Sequence, residues 1–554
     1  MRLNKILMMT VVFAAMATSC KDQLDVKTNE PQAGALATES DLLAFAQGAV
    51  YRNGFVDLKY TDGVMGAFWG TGYHDLMADV VSAEAANVYI NQIGCPETVT
   101  LGDGTVITNP GNPTHQPNLI RQANKNSNAS QNPSFYEWAY MYALNNVANN
   151  IIKLSDQVTY LGDADTKAQV MKAWAYWWKG FAYFRIGSMY YAGIINDEAN
   201  SLIGTGEYKT NTEILAESEK NLAACEAILT GLTANAAYNQ VLGKLIPDFT
   251  QVGHGGVLDP AMWIRNINTL RARSLLANTR VDQMTPAQWN QILTLTANGI
   301  KQDDKVFTLR TNATADLFSP NSGFTSAKTT GDPKATATYK ITERLIQDFQ
   351  PGDQRFLSNF ALAVDDDGVP STWIGESSRG NAFNTRWMLV DGGDQVTYPD
   401  TYVYSDRDPG DTEQFVAGSW DENELMKAEA LIYTGDIPGG VALIDEVRAY
   451  QGAGLDPIDP GIDQDGAIDQ LRSERRVGLL FRWVSFYDAR RWGVIDPVSA
   501  GGGRKNAIVI TKDGVIHTDA TLDFQFLDYW DVPDNEIVYN PPAANAAATS
   551  NPKN

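Results

Sequence analysis

The sequence predicts a mainly α-helical protein with little β structure, built from antiparallel helix pairs and closed by a loop-rich C-terminal lobe. Three observations lead there. Trp174, Trp177, Trp178 and Phe181 fall at i, i+3, i+4 and i+7, the spacing of one helix face. Stretches with the same periodicity recur before and after them, whereas alternating apolar and polar runs are too few to build a fold on sheets. Between the helical stretches stand long segments rich in Gly, Pro and Asn without periodicity, which read as loops.

The chain opens on a short basic start (Arg2, Lys5), an apolar stretch from Ile6 to Ala17 and small residues ahead of Cys20, the three parts of a secretory signal. An apolar run of about a dozen residues falls short of the roughly 20 that span a bilayer, so residues 1–19 read as a cleaved signal. Its end, Ala17-Thr18-Ser19-Cys20, resembles the lipobox of bacterial lipoproteins, in which the cysteine takes a diacylglycerol and becomes the mature N-terminus. A plain secreted protein with an incidental cysteine is the rival reading. Acylation at Cys20 implies firm membrane attachment, since each buried methylene adds about 0.8 kcal/mol. Lys21-Asp22-Gln23-Leu24-Asp25 resembles the charged signal that sends Bacteroidetes lipoproteins to the cell surface, and residues 20–35 read as a polar lipid tether.

The first helix is expected to carry Leu42, Leu43, Phe45, Ala46 and Ala49, capped by Thr38, Ser40 or Asp41 and ending near Asn53-Gly54. The segment from Gly94 to Pro133 predicts a long surface loop. A helix bearing Trp138, Met141, Tyr142, Leu144, Val147 and Ile151 precedes the tryptophan helix, placed from Asp165 to Tyr191. Further helices are expected from Thr212 to Leu229, Met262 to Val281, Pro286 to Ile300, Tyr339 to Phe349, Asn423 to Tyr433, Gly440 to Tyr450 and Ala467 to Tyr487. Loops fill the stretches from Thr308 to Thr338 and from Val364 to Gly418, and the tail from Val532 is expected to wrap the surface. Such pairs stack as in tetratricopeptide arrays, although the strict period of about 34 residues is not visible. Residues 36–300 are therefore read as the helical, tetratricopeptide-like region and 301–554 as a C-terminal region with ligand-facing loops.

A formal net charge of -23 repels phosphate backbones, which argues against nucleic acid and against peripheral binding to anionic lipid. With Cys20 assigned to lipid, only Cys95 and Cys225 remain; that is no disulfide framework, and whether the two pair is left open. His74, His115, His254 and His517 stand in no metal-ligand spacing, and no nucleophile-elbow pattern is present. Acidic pairs abound among 66 Asp and Glu, so they decide nothing about a glycosidase. Asp365-Asp366-Asp367-Gly368 and Asp463-Gln464-Asp465-Gly466 lack the alternation and distal glutamate of an EF-hand and read as solvated turns, with an irregular structural calcium site left open. No other cofactor is indicated, and a binding protein is expected rather than an enzyme.

Three C-terminal segments are more specific: ELMKAEALIYTGD from Glu424 with ALIDEVRAYQGAGL from Ala442, ERRVGLLFRWVSFYDARRWG from Glu474, and DYWDVPDNEIVYNP from Asp528. In this order and spacing they resemble the SusD/RagB family, the surface lipoproteins that partner SusC-type TonB-dependent transporters. The middle segment keeps the Glu-Arg-Arg-Val start, Tyr487-Asp488 and the Arg490-Arg491-Trp492-Gly493 close. Where the family usually has an acidic residue, a glycine and basic residues, this chain has Arg482, Trp483, Val484 and Ser485. Upstream, the segment from Ala173 to Gly193 resembles the family's tetratricopeptide-like helix. The charges of the middle segment, Glu474, Arg475, Arg476, Arg482, Asp488, Arg490 and Arg491, are interleaved with Phe481, Phe486 and Trp492. They read as an internal ion-pair network rather than a ligand clamp.

The resemblance implies a lipid-anchored, cell-surface protein of the bacterial outer membrane. It would bind a nutrient, an oligosaccharide or polysaccharide, and deliver it to a SusC-like TonB-dependent barrel; peptide uptake of the RagB type is the alternative, with a surface glycosidase behind it. Sugar capture needs flat rings flanked by polar groups, and rings on loops suit it better than rings on helix faces. Trp69, Tyr73 and His74 form one candidate set, because Gly70 and Gly72 let backbone approach a ligand and family members use an aromatic loop after the first helix. Trp373, Trp387, Tyr398, Tyr402 and Tyr404 form the second, with Arg379, Asn381 and Asn384 nearby. Trp174, Trp177 and Trp178 are assigned to the core.

Overall fold

The computed structural model describes residues 38–52, 73–83, 89–199, 204–310, 339–365, 367–375, 384–406 and 413–553. Cys20, Trp69, Arg379 and Asn381 lie outside them. Helix α1, Glu39–Gln47, opens on a capping box in which Thr38 and Asp41 satisfy each other's backbone N–H, and it buries Leu42, Leu43 and Ala46. After α2, Gln116–Ala123, come the two long helices α3, Phe135–Ser155, and α4, Ala164–Met189. Asp163 caps α4 by accepting from the Thr166 N–H at 3.1 Å. Helix α5, Asn211–Thr230, starts on a second capping box, Thr210 with Glu213.

Helix α4 packs against both α3 and α5. A Cβ at Gly180 would lie 2.7 Å from Leu222 Cδ2, so this glycine sets how closely α5 approaches. Ser218 Oγ uses the proximity to donate to the Gly180 carbonyl at 2.6 Å. Helices α6, Ala236–Leu245, α7, Pro260–Ala277, and α8, Pro286–Ala297, follow; the first was not anticipated. Trp263 of α7 joins Trp174, Trp177 and Trp178 around Phe307, all four ring centroids lying 5.1 to 6.0 Å from it. The tryptophan stripe is core, as its spacing requires: each of the three is 0% exposed.

The C-terminal helices are α9, Glu343–Gln347, α10, Gln354–Asn359, α11, Trp420–Thr434, α12, Ile437–Tyr450, α13, Gln464–Gly478, and α14, Ser485–Arg491. Gly435 joins α11 to α12 at φ +95°, a left-handed cap that a side chain resists. Helix α11 packs on α8, α12 and α13. One buried cluster runs from Leu42 to Val532 and takes residues from both halves of the chain.

The strands are short. β1, Val81–Ala83, pairs with β7, Tyr339–Ile341. β2, Thr98–Thr100, and β3, Val106–Thr108, extend the hairpin of β11, Arg504–Ile510, and β12, Ile516–Asp523, into a four-stranded antiparallel sheet. β4, Ala192–Ile194, pairs with β5, Tyr208–Thr210; β6, Thr308–Arg310, with β10, Glu413–Phe415; β8, Phe360–Leu362, with β9, Trp387–Leu389.

Several expected spans change. The stretch from Gly94 to Pro133 is a hairpin and a helix rather than one loop, because β2 finds a partner more than 400 residues away in β12. Tyr339 to Phe349 splits into β7 and α9, since β1 captures its first residues. The helix drawn through Tyr487 breaks between Leu479 and Val484, where Phe481 and Trp483 adopt φ of +60° and +63°. Cys95 and Cys225 are buried thiols that are not joined to each other. No described helix is long and apolar enough to cross a membrane.

The charged signature is buried and bonded inward. Arg475 and Arg491 reach Asp488 at 2.9 and 2.8 Å, and Arg491 also grips Glu429 of α11 with two bonds of 2.6 Å. Arg355 and Arg448 hold Glu474 at 2.6 and 2.9 Å. Arg490 donates to the carbonyls of Ser188, Ala277 and Asp528. Burial pushes the Asp488 carboxyl up, but Arg475 and Arg491 outweigh it and hold it below the ordinary range. These residues are an ion-pair network tying α4, α7, α11 and α14 together.

Candidate functional site

Tyr73 and His74 lie in the core, 1% and 0% exposed. The Tyr73 ring sits 5.4 Å from Trp530. His74 Nε2 stands 3.3 Å from Glu137 and 3.1 Å from Arg185, with the rings of Phe486 and Tyr487 against it. Burial first, then Arg185, pushes its pKa down to about 4, so the imidazole is neutral and accepts from the guanidinium. Neither ring offers a face to a ligand in this arrangement. The glycines that pointed to an open loop precede a buried helical turn.

The second set divides. Trp387 stands on β9 opposite Leu362, half-buried, edge-on to Phe356 at 5.1 Å, its indole N–H donating to Glu343 at 3.3 Å. Arg386 pairs with the same Glu343 carboxylate at 2.7 Å. Tyr398 ends a turn in which Asp394 accepts from the N–H groups of Val396 and Thr397, and it too is half-buried. Tyr404 is core, 4% exposed, whereas Tyr402 beside it, with centroids 5.4 Å apart, is half-buried. Trp373 is 6% exposed and covered by Lys340, whose ammonium lies 4.9 Å from the ring centroid. Asn384 is a buried brace between Gly375 and Ile510. Trp387, Phe356, Phe360, Tyr404 and Tyr402 thus form a continuous run, with successive centroids 5.1, 6.0, 5.9 and 5.4 Å apart.

At the Tyr402 end the run opens into a cavity of about 290 Å³. Tyr402, Phe415, Trp420 and Tyr450 supply aromatic walls, and Trp420 meets Tyr450 edge-on at 4.8 Å. Its floor is the buried Arg482 and Asp421 pair, 3.2 Å apart, with Ser419 bonded to the same carboxylate. Burial raises the Asp421 carboxyl, but Arg482, Ser419 and Gln451 hold it below the ordinary range. Lys301, Gln302 and Asp400 form the exposed rim. On one side Glu413 accepts from His254 Nδ1 at 2.7 Å, and His254 Nε2 accepts from the Tyr450 hydroxyl at 2.6 Å. Burial lifts the Tyr450 phenol to about 12, so it keeps the proton this chain requires.

Of the cavity's walls only Tyr402 was expected. Trp420 and Tyr450 are the first residue of α11 and the last of α12, and His254 sits in the turn before α7. An aromatic at a helix terminus, beyond the packed face, is the signal that marks them.

The Asp-rich turns have local duties. Asp365 Oδ1 accepts from the N–H groups of Asp367 and Val369, and Asp463 caps α13 through Gly466. Among the described residues no group of three His, Cys, Asp or Glu side chains is arranged to hold a metal ion.

Comparison with known proteins shows what this arrangement of paired helices, C-terminal ion pairs and aromatic lobe is similar to. Residues 422–553 match the SusD family. The fold matches that of a SusD-like carbohydrate binding protein from Bacteroides vulgatus ATCC 8482 (13% identity, 92% of this chain and 98% of that one, TM-score 0.55). It also matches a SusD superfamily protein from Parabacteroides distasonis ATCC 8503 (14% identity, 91% and 98%, TM-score 0.54). A third match is a structure solved with xylogluco-oligosaccharide (12% identity, 92% and 99%, TM-score 0.53). No curated protein matches the chain. Over residues 422–553 the chain is thus similar to the SusD family, and over most of its length it shares the fold of these structures.

Proposed function

We propose that this protein is a non-enzymatic, lipid-anchored receptor at the bacterial cell surface, which captures a glycan and hands it to a SusC-like TonB-dependent barrel. The observation that carries the reading is the family signature over residues 422–553 joined to half-buried rings beside it, Trp387 on β9 and Tyr398 and Tyr402 on loops. The solved relatives of the same fold include a SusD-like carbohydrate binding protein and a structure with xylogluco-oligosaccharide, which favours sugar over peptide. The secretory signal of residues 1–19 and Cys20 supply the anchor, with residues 20–35 as tether. Residues 36–300 serve in this reading as the helical scaffold and 301–554 as the ligand-facing region.

Isothermal titration of the mature protein against a glycan panel, with product analysis of the same mixtures, tests the reading. Binding without turnover is expected. Trp387→Ala, and Trp69→Ala in the first aromatic loop, should each weaken binding of the responding oligosaccharide about tenfold, the worth of one lost ring contact, with a small change in melting temperature. Hydrolysis by the purified protein, or binding of peptides in place of glycans, would sink it. Copurification with an outer-membrane barrel tests the delivery step.

A further inference from the structure

We propose that the cavity between α11 and α12 is a blind subsite for a single neutral sugar ring, seating the terminal unit of the glycan. This rests on the glycan-capture reading and adds to it where the chain end is read. The cavity's about 290 Å³ lies at the lower edge of the roughly 300–1,000 Å³ that ligand clefts occupy, room for one ring rather than a stretch of polymer. Its lining runs from Arg482, Asp421 and Ser419, each no more than 3% exposed, to the exposed rim of Lys301, Gln302 and Asp400. A ligand therefore enters end-on.

The walls fit a pyranose. Trp420, Tyr450 and Tyr402 are half-buried, so each presents ring surface to the cavity while its other side is packed. The bond chain from Glu413 through His254 holds the Tyr450 hydroxyl in place with one hydrogen bond, which leaves the phenol oxygen free to accept from a ligand hydroxyl. The Gln302 amide at the rim can donate and accept. Arg482 is paired with Asp421 and Asp304 with Arg265, and the rim carries the cation Lys301 and the anion Asp400. The lining residues together offer an acidic sugar no net positive charge.

The test is titration of the mature protein with glucose, galactose, mannose, xylose and glucuronate, followed by indole fluorescence and calorimetry. At least one neutral monosaccharide should bind, and glucuronate should bind no tighter than glucose. Trp420→Ala should weaken that monosaccharide and the responding oligosaccharide about tenfold. Tyr450→Phe keeps the ring and the fold but removes the oxygen, and should weaken both about fivefold. If oligosaccharides bind but neither substitution affects them and no monosaccharide binds, the subsite is refuted while the glycan reading stands. Tighter binding of glucuronate overturns the neutral assignment. If no glycan of any length binds, the parent reading fails and the subsite with it.

Discussion

Arg491→Ala is expected to destabilise the protein by about 3–5 kcal/mol, the largest effect of any single substitution in the C-terminal signature. Arg491 is fully buried and bonds two carboxylates, Glu429 on α11 with two contacts of 2.6 Å and Asp488 at 2.8 Å. Asp488 retains Arg475 when Arg491 is removed, but Glu429 is left, 0% exposed, with only the Trp492 indole N–H at 3.3 Å. An uncompensated buried carboxylate is the costly product. Pairing Arg491→Met with Glu429→Leu should therefore recover much of the loss, because removing both charges also removes the desolvation that each imposes. Urea unfolding of the parent and the two variants measures this: the single variant's midpoint should fall well below that of the double. A single variant within about 1 kcal/mol of the parent would show that the pair is no structural tie.

How much of this was legible beforehand depends on the range of the interaction that decides each feature. The tryptophan helix was readable because a face of period 3.6 is local, and the burial of Trp174, Trp177 and Trp178 follows from it. The signature's charges were readable as a network because they alternate with Phe481, Phe486 and Trp492. Its interruption was not. Leu479 to Val484 is apolar apart from Arg482 and continues a helical pattern, yet Trp483, where the family usually has glycine, adopts a left-handed φ of +63°. A bulky residue there costs about 1–2 kcal/mol, borne by tertiary packing that no local window contains. The loop aromatics show the same limit. Tyr402 and Tyr404 share a short segment, and only the docking of Phe360 and Phe356 makes the second ring core and leaves the first partly open. Tyr73 and His74 were placed on an open loop by their glycines; long-range partners, Trp530, Glu137 and Arg185, decide that they are buried.

The same departure from the family signature has an electrostatic consequence, and it sets the second large effect. Where a basic residue is usual, Ser485 meets the buried Asp75 with a hydroxyl, 2.6 Å from Oδ1, and Oδ2 has no hydrogen-bond partner among the described residues. Burial is the main cause that lifts the Asp75 pKa from 3.8 to about 7, with Ser485 and Arg476 opposing it. Between those values the folded protein holds a proton that the unfolded chain has released, so the stabilising contribution is complete below about pH 4 and is lost as pH rises through about 7. Its full size is on the order of 4 kcal/mol. Asp75→Asn cannot ionise and lacks this dependence. The stability difference between Asp75→Asn and the parent should shift in favour of the variant from pH 5 to pH 8, whatever its offset at pH 5. Ser485→Ala removes the only hydroxyl bonded to Asp75 and should move the transition to still higher pH. Parallel pH profiles for the parent and Asp75→Asn would show that Asp75 keeps an ordinary carboxylate in the folded state.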